Sequence, residues 1–198
     1  MNSGTVKRPY RMTARAEAVA ATGERILDAT EQLFWSGPID RMSLDAVATR
    51  AGVTVQTVLR RYGSKDGLVA AAAARAAERV RRQRDEAPVG DVAGAVANLL
   101  DHYEDMGERA LRLLAEEAGS PLMEEIAESG RELHRQWVER TFAPQLRGLR
   151  GAEHTRRRAQ LVAVTDVYMW KLLRRDAGLS RRQVEQALRE LIDGLEGR

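Results

Sequence analysis

Apolar residues recur at three- and four-residue intervals along most of the chain, the spacing that gathers them on one face of an α-helix. No alternating strand pattern longer than a few residues appears. Residues Met1 to Thr22 mix Arg, Ala, Thr and Pro9 without a core-forming stripe and read as an arm, its Ala-rich second half suited to a helix. Ile26, Leu27, Thr30, Leu33 and Phe34 then fall on one face, and Gly37-Pro38 ends this first helix. Ser43 is a good N-cap for a second helix, Leu44 to Ala51, along which Leu44, Val47, Ala48 and Ala51 repeat. Gly52 can take the positive φ that closes it, and Thr54 caps a third helix, Val55 to Tyr62, with Val58 and Tyr62 inward. A long Ala-rich fourth helix starts near Lys65 or Asp66 and passes Arg84 before Pro88.

The remainder is also helical in pattern. Separate helices are expected over Val92 to Met106 and Glu108 to Glu117, and Pro121 opens another to about Phe142. The polar, Gly- and Arg-rich stretch Arg147 to Arg158 is the best loop candidate. One helix is expected from Arg157 to Asp176, with Leu161, Val164, Tyr168 and Leu172 on a stripe. Ser180 caps the last, in which Val184, Ala187, Leu188, Leu191, Ile192 and Leu195 follow helical spacing closely. The fold class expected is all-α.

Composition narrows the chemistry. The 198 residues contain no cysteine, which excludes disulfides, thiol catalysis and thiolate metal sites and fits a reducing cytoplasm. No segment approaches the roughly 18 to 20 apolar residues of a membrane span, so a cytoplasmic protein without a membrane partner is expected. His102, His134 and His154 stand in no metal-binding pattern, and no phosphate loop or nucleophile elbow occurs, so no enzyme, metal or cofactor is expected. The formal charge of +3 is unevenly spread. Met1 to Lys65 holds ten basic and six acidic residues, a net +4, while the rest is close to neutral. A polyanion would therefore meet the N-terminal third.

Ser43 to Tyr62 is the informative block: a helix, a glycine turn and a second helix, with Ala48 small where the helices touch and Val47, Val53 and Val58 placed to fix their crossing. In a helix-turn-helix the second helix offers its free face to the DNA major groove, and Thr54, Gln56, Thr57, Arg60 and Arg61 suit that work. A helical hairpin inside a core would show a similar pattern.

The runs Arg25-Ile-Leu-Asp-Ala-Thr-Glu-Gln-Leu-Phe34, Ser43-Leu-Asp-Ala-Val-Ala48, Ala51-Gly-Val-Thr-Val-Gln-Thr-Val-Leu59 and Tyr62-Gly-Ser-Lys-Asp-Gly-Leu68 resemble, in this order, the N-terminal domain of the TetR family of transcriptional regulators. The resemblance implies a homodimeric repressor with a three-helix DNA-binding domain and a larger helical domain that binds a small-molecule inducer and dimerises. It implies three segments: a basic arm at 1–21, a helix-turn-helix domain at 22–65 and a ligand-binding and dimerisation domain at 66–198. Carried onto matching positions, it makes Ser43 a phosphate-contacting N-cap, places Thr54, Gln56 and Thr57 at the start of the recognition helix, retains the helix-end aromatic as Tyr62, and gives Lys65 a phosphate. Helix N-termini and lysines attract phosphate for electrostatic reasons. The family usually has Tyr at the position of Leu59 and commonly His at that of Arg61; Arg60 and Arg61 would supply compensating charge.

The resemblance also implies a dimer interface on the last two helices, with Leu161, Tyr168, Leu172, Val184, Leu188, Leu191 and Leu195, and a palindromic DNA operator. Packing of those stripes within the chain is the alternative. An inducer pocket would be lined by Leu99, Tyr103, Leu114, Met123, Ile126 and Trp137, although the same stripe equally describes ordinary core. Such a pocket would favour a hydrophobic or aromatic ligand. Lys7, Arg8, Arg11 and Arg15 fit either a DNA-contacting arm or a disordered tail. The alternative for the whole chain, suggested by Leu59, is a ligand-binding or scaffolding helical protein that does not read DNA.

Overall fold

The computed structural model describes residues 7–37 and 42–195, with side chains from residue 16, and these form two compact units, 1–75 and 76–198. Among the described residues every regular element is helical.

In the first unit, α1 (Lys7–Ser36) is one continuous 30-residue helix that takes in most of the expected arm. Its residues 16–21 are exposed, and the buried face begins at Gly23 and continues through Ile26, Ala29 and Thr30. The side chains of Lys7, Arg8, Arg11 and Arg15 lie outside the described residues. Helices α2 (Leu44–Ala51) and α3 (Val55–Tyr62) have the bounds expected from their caps. Gly52 sits at φ 66° and ψ 40°, where its N–H and that of Val53 close on the carbonyl of Ala48. This left-handed stop turns the chain within three residues and delivers Thr54 to cap α3. Val47 and Val58 are fully buried and Ala48 nearly so, with Met42, Leu68, Val69 and Ala72 completing the small core. Each of the Val, Leu and Met side chains contributes about 1.5–3 kcal/mol by leaving water.

Helix α4 (Lys65–Asp85) begins in the first unit and ends in the second. Ser64 caps it, accepting a hydrogen bond from the N–H of Gly67 at 3.0 Å. A Cβ on Gly67 would stand 2.3 Å from the carbonyl oxygen of Tyr62, so only glycine allows so tight an entry. Within the first unit Arg75 reaches three α1 carboxylates, Glu24 and Asp28 at 2.7 Å and Glu31 at 2.8 Å. Burial disfavours its charge, but hydrogen bonds to Glu31, Glu24 and Asp28 outweigh this and raise its pKa.

The second unit continues with α5 (Val92–Glu116), a 3-10 turn (Glu117–Gly119), α6 (Pro121–Thr141), α7 (Ala143–Leu146), α8 (Gly151–Val164), α9 (Val167–Lys171), a π-helical stretch (Leu172–Asp176) and α10 (Arg181–Leu195). Its core gathers Leu99, Leu100, Trp137, Val138, Phe142, Leu161, Trp170, Val184, Leu188 and Ile192.

Three expectations change here. The helices expected over Val92 to Met106 and Glu108 to Glu117 form one, ending at Glu116, and Gly107 lies inside it beneath the Trp170 ring, where a side chain would not fit. The expected loop at Arg147 to Arg158 shrinks to residues 147–150, and α8 begins at Gly151. The helix expected over Arg157 to Asp176 is broken after Val164. There Thr165 is buried and donates back to the carbonyl of Leu161 at 2.7 Å, while Asp166 starts α9 by accepting from the N–H of Tyr168. Ser180 and Gln183 form a reciprocal capping box at the start of α10.

Candidate nucleic-acid interface

The reading surface is built around the start of α3. The Thr54 hydroxyl accepts from the N–H of Thr57 at 3.2 Å and lies 3.0 Å from the Thr57 hydroxyl, so both threonines hold the first turn. Ser43 does the same for α2, accepting from the N–H of Ala46 at 3.1 Å. Both helix starts leave further backbone N–H groups for an anion. Ser43, Thr54, Gln56 and Arg60 are exposed, and Thr57, Tyr62 and Lys65 are half-buried. Leu59 is exposed beside Arg60, an apolar side chain on an otherwise polar face.

Arg61, which is exposed, and half-buried Tyr62 also bond within the first unit. The Arg61 guanidinium donates to the carbonyl of Val19 at 3.0 Å, and the Tyr62 hydroxyl donates to that of Gly23 at 3.3 Å. A Cβ on Gly23 would come within 2.3 Å of Arg61 Nη2, so the guanidinium occupies the space of the missing side chain. The two residues expected at the DNA therefore tie α3 to α1. Arg25 was not anticipated; it donates to the carbonyl of Ala51 at 3.3 Å and so satisfies the end of α2.

The second unit divides the remaining candidates. Leu99, Tyr103 and Trp137 share one buried cluster with Leu114 packed against it, whereas Met123, though buried, and half-buried Ile126 lie outside that cluster. The cluster is not free of charge, as a purely apolar pocket would be. Arg84, only 4% exposed, lies over the ring of Trp137 at 4.9 Å and that of Tyr103 at 5.4 Å. Its Nη1 is 2.9 Å from His134 Nδ1. A guanidinium can only donate, so Nδ1 accepts and His134 carries its proton on Nε2, which faces the Thr165 hydroxyl at 3.1 Å and the Val162 carbonyl at 3.3 Å. Burial first, and the Arg84 charge second, hold His134 and half-buried His102 down to about 3. Among Arg79, Arg81, Arg82 and Arg84, nothing in the sequence alone marks Arg84 as the one turned inward.

The expected interface residues also separate. Leu161, Val184 and Leu188 are 0–1% exposed and belong to the core of their own unit, because α8 packs against α6 and α10, and α10 against α5 and α8. Tyr168, Leu172 and Leu191 are 52%, 55% and 43% exposed, and Leu195 is half-buried.

A helical chain with an N-terminal helix-turn-helix and a larger helical unit has the architecture of transcriptional regulators, and comparison with known proteins agrees. Residues 26–72 match the family described as bacterial regulatory proteins, tetR family. The N-terminal domain matches the TetR family, and the fold of the whole chain is like that of solved transcriptional regulators. No curated protein sequence matches it significantly. A proposed transcriptional regulator from Pseudomonas aeruginosa PAO1 is similar in structure at 18% identity, covering 92% of this chain and 91% of that one, with a TM-score of 0.64. A transcriptional regulator from Rhodococcus sp. Rha1 shares 21% identity over 89% and 95% of the two chains, TM-score 0.62. A TetR-family regulator from Streptomyces coelicolor A3 shares 19% over 90% and 96%, TM-score 0.53. No helix of the described residues is long and apolar enough to cross a membrane.

Proposed function

We propose that the protein is a homodimeric cytoplasmic repressor that binds a palindromic operator and releases it when a small ligand binds the C-terminal unit. The observation that carries this reading is the capped, outward-facing start of α3. Thr54 and Thr57 order the cap, Arg61 and Tyr62 hold the helix to α1, and Thr54, Gln56, Arg60 and Arg61 are exposed.

In this reading Gln56 addresses a base edge, adenine being its usual bidentate partner. Ser43, Thr54, Arg60 and Lys65 address phosphates, and Leu59 offers an apolar contact of the kind that suits a thymine methyl. A second copy would place two such heads about one DNA turn apart, roughly 34–36 Å. Tyr168, Leu172 and Leu191 are the exposed apolar side chains a partner copy would cover. The ligand would lower DNA affinity only as far as it prefers the non-binding state.

The test is fluorescence anisotropy on DNA from upstream of the chain's own gene, across a salt series. Selective binding that weakens steeply with salt is expected. Gln56→Ala should weaken it by about 1–3 kcal/mol at one base position while leaving the melting temperature unchanged. Equal binding to all DNA, or none, would leave the scaffolding alternative.

A further inference from the structure

We infer that Arg84 is the anchor for an organic acid: the ligand of the C-terminal unit carries a carboxylate on an apolar body, and that carboxylate completes the coordination of a buried guanidinium. The inference rests on the ligand-responsive reading above and specifies the chemistry of the ligand.

A buried cation normally has an anionic partner, because an unpaired charge away from water is expensive. Arg84 has none: among the described residues no carboxylate lies within ion-pair distance of it. Its contacts are neutral, namely the Nδ1 of an uncharged His134 and the faces of Trp137 and Tyr103. The nearby acids are committed elsewhere. Asp85 pairs with Arg140, and Glu104 with Arg174.

Orphaned donors on and beside Arg84 are groups that such a partner would satisfy. Arg84 Nε is buried without a hydrogen-bond partner, and so are Nε1 of Trp137, the ring it covers, and the hydroxyl of Thr141, one turn further along α6. All three can donate, and donors are what a carboxylate seeks. Nη1 is taken by His134, which leaves the Nε side of the guanidinium, an edge that carboxylates engage through paired N–H···O bonds. Leu99, Val138 and Phe142, all 0% exposed in the same cluster, supply apolar surroundings for the rest of such a molecule. A neutral hydrophobic ligand would leave the cation and the three donors as they are.

The experiment is titration calorimetry and thermal shift on the full chain with benzoate, phenylacetate and octanoate at millimolar concentration. Benzamide, phenylacetamide and octanamide serve as neutral counterparts, and inorganic phosphate as a bare anion. At least one acid should raise the midpoint and bind about tenfold to hundredfold more tightly than its amide, the worth of a hydrogen-bonded charge pair. Arg84→Met should abolish that preference while melting at or above the parent, since it removes an unpaired buried charge. Arg84→Lys should keep it in weakened form.

Equal binding of acids and amides, a preference that survives in Arg84→Met, stabilisation by phosphate alone, or no effect of any acid would each overturn the inference. The acid and amide comparison on the parent protein decides the matter even where a variant does not fold. Release of DNA is scored separately. Acids that bind through Arg84 without loosening DNA support the site and count against ligand-responsive regulation alone.

Discussion

Gly107 offers a test of how tightly the second unit is packed. It lies inside α5, where alanine would normally be the better residue by about 1 kcal/mol. A Cβ there would stand 2.6, 2.7 and 3.0 Å from Cζ3, Cη2 and Cε3 of Trp170, whose side chain is fully buried. The indole has little room to retreat. Its Nε1 donates to Glu104 at 3.3 Å, Arg174 holds the same carboxylate at 2.8 Å, and the Arg175 guanidinium lies 4.9 Å from the ring centre. Overpacking a rigid site costs roughly 1–3 kcal/mol, and three contacts this short belong at the upper end. Set against the helix gain, Gly107→Ala should lose about 2 kcal/mol. Gly130, exposed inside α6 with nothing within 4 Å of its Cβ position, is the control, and Gly130→Ala should gain about 0.5–1 kcal/mol. Urea unfolding followed by tryptophan fluorescence measures both. A Gly107→Ala protein as stable as the parent, with the control behaving as stated, would refute the argument that Trp170 dictates the glycine.

Other outcomes follow from charge and exposure. Arg75→Met removes the guanidinium that three α1 carboxylates share and, allowing for solvent screening, should destabilise the first unit by about 1 kcal/mol, read in a denaturant melt. His134 and His102 stay neutral in the fold down to about 3, whereas unfolded histidine takes up a proton near 6.5. The unfolded state therefore binds more protons, and stability must fall as pH drops from about 6.5 toward 3, by up to about 1.4 kcal/mol per pH unit for each histidine. Denaturant melts between pH 7 and 5 test this before the carboxylates titrate. His134→Asn should flatten the slope, with the Arg84 and Arg135 charges that oppose protonation left in place. Leu172→Arg with Leu191→Arg should give a monomer in sedimentation velocity; an unchanged dimer would move the interface away from this face.

Local signals made the helix-turn-helix readable in advance. Ser43, Gly52 and Thr54 act on their own neighbours within a few residues, so their chemistry is written in the immediate sequence, and α2 and α3 have the bounds those caps imply. What could not be read depends on partners distant in the chain. Arg60 and Arg61 are adjacent, chemically the same and both exposed, yet only Arg61 is tied to α1, by the carbonyl of Val19 and the space beside Gly23. Leu188 and Leu191 share a stripe, but the packing of α10 buries the first and exposes the second. Asp166 falls inside the helix expected over Arg157 to Asp176 and is an N-cap, because Thr165 ends the preceding helix by bonding to the carbonyl of Leu161. Arg84 shows the same limit at the candidate ligand site.

The pairing of Gly23 with Arg61 has an evolutionary consequence. One position is empty because the other fills it, and the guanidinium is the movable end of a long side chain. The two sites should therefore change together among descendants of this chain. Where a shorter residue replaces Arg61, position 23 becomes free to acquire a methyl group and a stiffer helix. Where alanine arrives first at 23, the arginine must leave the carbonyl of Val19, and its exposed charge takes a new position at the end of α3. A single substitution on α1 would in this way relocate a basic side chain on a different helix, far away in the chain.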